Sequence, residues 1–257
     1  MRAALIIVGV AAIVAACGRD RANTATTVAV RRADSVPAVQ PARPPLSLDT
    51  IADHLVEVWP IAVAKGKQLE ETRRIVELLQ AELSVMSGFE SATLLASGDG
   101  SSLVLVTTWR DAAAADRGDV TLAGWLRLEA DTALRRRRDG TLTPRVRVRR
   151  TVGTPPTLSD GAMLQFTRYV LKSGRMYPPI LAFTDSNVAM RVLQDTAAQG
   201  GALLTAADSG AVYMLLQARN ATALEPGFQL GGPAPFWAPF AEREEQLLAV
   251  VAIVHRR

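Results

Sequence analysis

Five residues have the types and spacing to hold a ligand. Alternate side chains of a strand share a face, so Glu57 and Trp59 project together from one extended segment, and Thr107 and Trp109 from another. Arg145, Arg147 and Arg149 share a face in the same way, with Val146 and Val148 opposite. A carboxylate, a hydroxyl, indoles and a guanidinium around one cavity would bind an anionic aromatic molecule. Glu57, Trp59, Thr107, Trp109 and Arg147 are therefore the candidate ligand-binding residues. A plainer arrangement fits the same residues: both tryptophans in a core, Glu57 at a wet rim, and the arginines on a solvated face. No catalytic residue can be assigned. One cysteine and two histidines, His54 and His255, cannot build a Cys/His metal cluster or an internal disulfide, so no metal ligand is expected. There is no Gly-x-Ser-x-Gly elbow, Ser-x-x-Lys, His-Glu-x-x-His or phosphate-cradling glycine loop, which argues against hydrolase and metalloenzyme chemistry.

The elements that must position these residues follow from periodicity. The 257 residues are 49% apolar and 21% charged, a globular balance with length for one large or two smaller domains. Residues 54–63 read as a strand carrying Trp59, and residues 68–86 as a helix with apolar positions 75, 76, 79, 83 and 86 on one face. Strands at 89–96 and 103–109 flank the turn Ser97-Gly98-Asp99-Gly100. Leu122, Trp125, Leu126 and Ala133 mark a second helix, and 145–152 a fourth strand. After Pro155-Pro156 the series restarts. A strand is expected at 163–171, a helix at 188–198, strands at 202–206 and 212–217 around Asp208-Ser209-Gly210, a helical stretch ending near Gln246, and a strand at 247–254. Lys65-Gly66-Lys67 and Ser173-Gly174-Arg175 lie 108 positions apart; Asp99 and Asp208, and Arg110-Asp111-Ala112 and Arg219-Asn220-Ala221, lie 109 apart. A nearly constant offset indicates an internal repeat.

The N-terminus carries an address. Met1-Arg2 precedes fourteen uncharged residues, too few to cross a bilayer, for which roughly 20 are needed. A charged start, an apolar stretch and a small-residue end describe a signal peptide. The end, Val14-Ala15-Ala16-Cys17, resembles the lipobox of bacterial lipoproteins, which implies acylation of Cys17 after removal of residues 1–16. An ordinary signal peptide with Cys17 as a bystander is the alternative. The lipidated reading places the protein in the bacterial cell envelope, held to a membrane through Cys17, and Gly18 slightly favours the outer membrane. Residues 17–50 then form the lipidated cysteine and a proline-containing tether, spanning on the order of 30 Å as a coil.

The order βαββαβ, Lys65-Gly66-Lys67 before the first helix, Ser87-Gly88-Phe89 after it, and the apolar strand ending Thr107-Thr108-Trp109-Arg110-Asp111 resemble the antibiotic biosynthesis monooxygenase superfamily of dimeric α+β barrels. The resemblance implies an α+β fold: two ferredoxin-like βαββαβ repeats, at 51–153 and 160–257, forming an intrachain pseudo-dimeric barrel with a cavity between the sheets. It implies no cofactor, since oxygenases of that superfamily activate an oxidisable ring by deprotonation. Relatives that degrade haem use an Asn on strand one, a Trp on strand three and a His on helix two. Trp109 matches by position, Glu57 stands for the Asn, and 111–139 contains no His. Three functions remain open: an envelope lipoprotein binding a small apolar or aromatic ligand; a cofactor-independent monooxygenase acting on a phenol or quinol; and an envelope interaction module using an arginine-rich face. Residues 135–150 hold eight arginines. Export and the absence of interleaved aromatics exclude nucleic acid and favour anionic lipid as that face's partner. The chain is expected to be a monomer.

Overall fold

The computed structural model describes residues 45–49, 54–126, 145–194, 197–219 and 238–257. The signal peptide, Cys17, most of the tether, Ala133, Arg135–Arg138 and the helical stretch expected after Arg219 lie outside the described residues.

Strand β1 (Leu46–Ser47) precedes β2 (Leu55–Ala62), helix α1 (Gln68–Leu78), β3 (Phe89–Ser97), β4 (Ser102–Trp109), α2 (Ala112–Leu126) and β5 (Arg145–Gly153). Then come β6 (Thr157–Leu158), β7 (Met163–Leu171), α3 (Tyr177–Gln194), β8 (Ala198–Ala206), β9 (Ala211–Ala218) and β10 (Ala241–His255). Two aspartates set the matching hairpins: Asp99 Oδ1 accepts the Ser101 N–H at 3.0 Å, and Asp208 Oδ1 accepts the Gly210 N–H at 2.9 Å.

Eight strands close a barrel in the order β10-β3-β4-β2-β5-β8-β9-β7. Every neighbouring pair is antiparallel. The seams are made by β5 and β10. Strand β5 meets β2 only through Val56↔Val146 and Glu57↔Arg145, then runs along β8 from Val146 to Gly153. Strand β10 follows β7 through residues 241–249 and β3 through 248–255.

Alternation sorts the side chains into three layers. Val56, Val58, Val104, Val106, Phe166, Leu204 and Leu215 fill the barrel interior. Trp59, Ile61, Leu105 and Trp109 project outward beneath α1 and α2. Tyr169, Leu203 and Met214 project outward beneath α3. A small ribbon of β1 paired with β6 brings Leu48 and Leu158, both at most 1% exposed, onto the interior cluster. We expect Leu48→Ala to cost about 2–5 kcal/mol in denaturant unfolding, whereas Leu193→Ala, at an 81% exposed position, should stay within about 0.5 kcal/mol.

The structure departs from the sequence-based elements in several places, among them β8, which begins at Ala198 rather than 202, and the expected tether, whose Leu46–Ser47 pair with β6. Helix α3 begins at Tyr177 rather than 188, because Pro178 and Pro179 sit in its first turn, where no amide hydrogen is needed. The expected helix over 68–86 is α-helical only to Leu78 and continues as a π-turn over Leu79–Leu83. Strand β10 begins at Ala241, not 247. Its charged start pairs with β7, and Arg168 Nη2 meets Glu244 Oε2 at 2.7 Å.

Candidate functional site

The expected cavity between the sheets is almost filled. About 10 Å³ remains inside the barrel, room for one water molecule, and it is enclosed by aliphatic side chains and Phe166. None of the five candidate residues lines it. The reason is the phase of β2 and β4: Val56 and Val58 take the interior, which turns Glu57 and Trp59 outward toward the helices.

On that helix-facing side the structure brings Glu57, Thr107 and Trp109 together. Register places Glu57 opposite Thr107 and Leu55 opposite Trp109. Glu57 Oε2 accepts the Trp109 Nε1–H at 2.8 Å and the Thr107 Oγ1–H at 3.1 Å. Trp109 Nε1 also lies 3.1 Å from Thr107 Oγ1. Trp109 stands edge-on to Phe89 with ring centroids 5.3 Å apart. Trp59 shares the layer one turn of the pleat away. Arg147 does not join. Past Val146, strand β5 has left β2 for β8, and Arg147 is exposed opposite Thr205.

Three residues complete the cluster that sequence reasoning did not assign to it. Arg145 Nε lies 3.6 Å from Glu57 Oε1, and its Nη2 contacts Asp116 and, at 3.8 Å, Asp119 Oδ2. The signal for Arg145 was its shared face with Arg147; the two-pair ladder to β2 decides between them. Asp119 was legible too. It follows Ala115 by four and precedes Leu122 by three, and both of those are fully buried on α2.

Electrostatics set the protonation. Glu57 is fully buried, and its pKa is pushed up to about 8. Burial is the main cause; the Asp119 charge and a carboxyl–carboxyl hydrogen bond add to it, while Thr107 and Trp109 oppose it. Burial also raises Asp119. One guanidinium cannot keep three carboxyls ionised when one of them is dry. Glu57 therefore holds its proton at neutral pH, beside Asp119, whose oxygens have no N–H or hydroxyl donor among the described residues. Such a carboxyl can give a proton to a ligand, or take one, near pH 8. Among the described residues no group of three His, Cys, Asp or Glu side chains could hold a metal ion, and no helix is long and apolar enough to cross a membrane.

No protein-family model matches the chain, and no curated protein matches its sequence. Solved structures do. An anthrone oxidase-like protein superposes with a TM-score of 0.54 at 15% identity, covering 82% of this chain and 96% of its own. A monooxygenase-like protein of Fusobacterium nucleatum gives 0.47 at 10% identity, over 79% of this chain and 94% of that one. One of Lactobacillus acidophilus gives 0.41 at 9%, over 79% and 97%. The barrel has a monooxygenase-like fold. That is a likeness of architecture, and the chemistry must be argued from the site itself.

α2 closes this site. Gly118 packs against the Trp109 ring, and the helix presents only Ala114, Ala115, Gly118 and Leu122 as buried residues with described side chains. Lifting α2 would expose Ala114, Ala115 and Leu122 on the helix and the buried Trp109 ring beneath it.

Proposed function

We propose that this chain is an envelope lipoprotein that binds a small aromatic molecule with an acidic hydroxyl, a phenol or quinol, between α2 and the sheet of its first half. The observation that carries the reading is Glu57: a fully buried carboxyl, bonded to an indole and a threonine, with a pKa of about 8. A phenol ordinarily loses its proton near pH 10, so this carboxylate is a competent acceptor for it. Trp109 offers an aromatic surface, and Arg145 at the cluster's edge offers the charge that steadies a phenolate. Entry requires α2 to lift.

A second reading follows from the same step. A phenolate held dry passes electrons to oxygen, one oxygen atom replacing a ring hydrogen as a carbonyl and the other leaving as water, so that phenol plus O₂ gives quinone plus water. The fold likeness to an anthrone oxidase-like protein supports this cofactor-independent monooxygenase reading. Phenol and hydroquinol binding, followed by tryptophan fluorescence and oxygen uptake, tests both. Binding should strengthen with a midpoint near pH 8, and in Glu57→Gln it should weaken and lose that pH dependence. Binding that ignores pH and the substitution would overturn the site. Oxygen consumption separates enzyme from binder.

The two halves are, in this reading, ferredoxin-like copies. The strand orders β3-β4-β2-β5 and β8-β9-β7-β10 support it, each being second-third-first-fourth within its half. Anchoring rests on Cys17 alone in the sequence. Cys17→Ser should leave the precursor uncut or release the protein from the membrane fraction, and processed protein still sedimenting with membranes would refute lipidation.

A further inference from the structure

Trp59 is 1% exposed, yet among the described residues its Nε1–H has no acceptor. A buried indole donor normally finds a partner, and Trp109, on the neighbouring strand in the same layer, has Glu57 and Thr107. Phenylalanine would fill the same apolar layer without leaving a donor unpaired. Trp59 sits two residues beyond Glu57 on the same face of β2, roughly 6.6 Å along the strand. Both lie in the layer beneath α1 and α2, beside Leu105 and Trp109.

We infer that Trp59 is a specificity-determining residue whose indole N–H donates to a second oxygen on the ligand, opposite the hydroxyl engaged by Glu57. This rests on the binding site proposed above and narrows its occupant. The ligand is flat and two-ended, with a proton-bearing oxygen at one end and a lone-pair acceptor roughly 6–8 Å away, the spacing of two residues on one strand face. A one-oxygen ring of the same size leaves the Trp59 donor unpaired, so selection between the two is read directly at this position.

The test compares 2,6-dihydroxynaphthalene with 2-naphthol, which has the same rings and lacks the second oxygen. Both are titrated at pH 8 against the full chain and against Trp59→Phe and Glu57→Gln. The native protein should prefer the diol by about tenfold, the worth of one well-placed hydrogen bond. In Trp59→Phe the two affinities should converge, the diol losing its advantage over 2-naphthol, with thermal unfolding unchanged or raised because an unsatisfied donor has gone. In Glu57→Gln both should weaken while the preference persists. Equal native affinities, or a preference that survives Trp59→Phe, would overturn the role of Trp59 and leave the site standing. If neither naphthol binds the native protein, the site and this assignment fall together.

Discussion

Raising the pH from 5 to 8 should destabilise this protein, and Glu57→Gln should abolish most of that loss. The folded state holds a proton on Glu57 up to about pH 8, whereas the unfolded chain releases it near the ordinary value of 4.5. Between those limits the native state binds more protons, so stability is full below about 4.5, falls as pH rises, and levels off above about 8. The slope approaches about 1.4 kcal/mol per pH unit for one proton. Asp119, also raised by burial, acts in the same direction. A glutamine keeps an oxygen for Trp109 and Thr107 and cannot ionise, so the variant should be the more stable protein at pH 8, with a shallower slope left to Asp119. Thermal unfolding across the range reads the effect as roughly 2–4 °C for each kcal/mol. A flat native profile would mean that Glu57 is ionised throughout.

Two glycines on α2 should respond in opposite directions to the same substitution. A Cβ at Gly118 would stand 2.1 Å from Trp109 Cη2 and 2.2 Å from Cζ2. The ring cannot retreat, since its Nε1 is held by Glu57 and its edge by Phe89. Alanine in a helix gains up to about 1 kcal/mol over glycine, and overpacking a full core costs about 1–3 kcal/mol, so Gly118→Ala should be net destabilising. Gly124 has no described atom within 4 Å of its would-be Cβ. There only the propensity gain remains, and Gly124→Ala should raise the melting temperature. The pair separates tight seating of α2 on Trp109 from a general effect of helix stiffening.

The contrast between what the sequence showed and what it hid is physical. Hairpin turns were readable because Asp99 and Asp208 bond their own backbones locally. Strand β7 was readable because it alternates and ends cleanly. Strand β10 was half hidden: a run containing Glu242, Arg243, Glu244 and Glu245 resembles a helix end until β7 supplies its partners. The face of β2 was hidden altogether. Val56 and Val58 on one side and Trp59 and Ile61 on the other are all buried, so alternation says which residues travel together and not which way they point. The candidate cluster was found for that reason, and placed on the wrong side of its own sheet.

The long seam strand β10 decides when the barrel can close. Strand β10 follows every other described strand, yet it alone covers the outer edges of both β3 and β7. Until it arrives, each half displays a bare row of amide and carbonyl groups ready to recruit a stray extended peptide. Assembly is thus committed only at the last step. A nascent polypeptide would need shielding over most of its length, and a nonsense codon shortly before residue 241 would leave an open seven-stranded sheet with two bare edges rather than a smaller working protein.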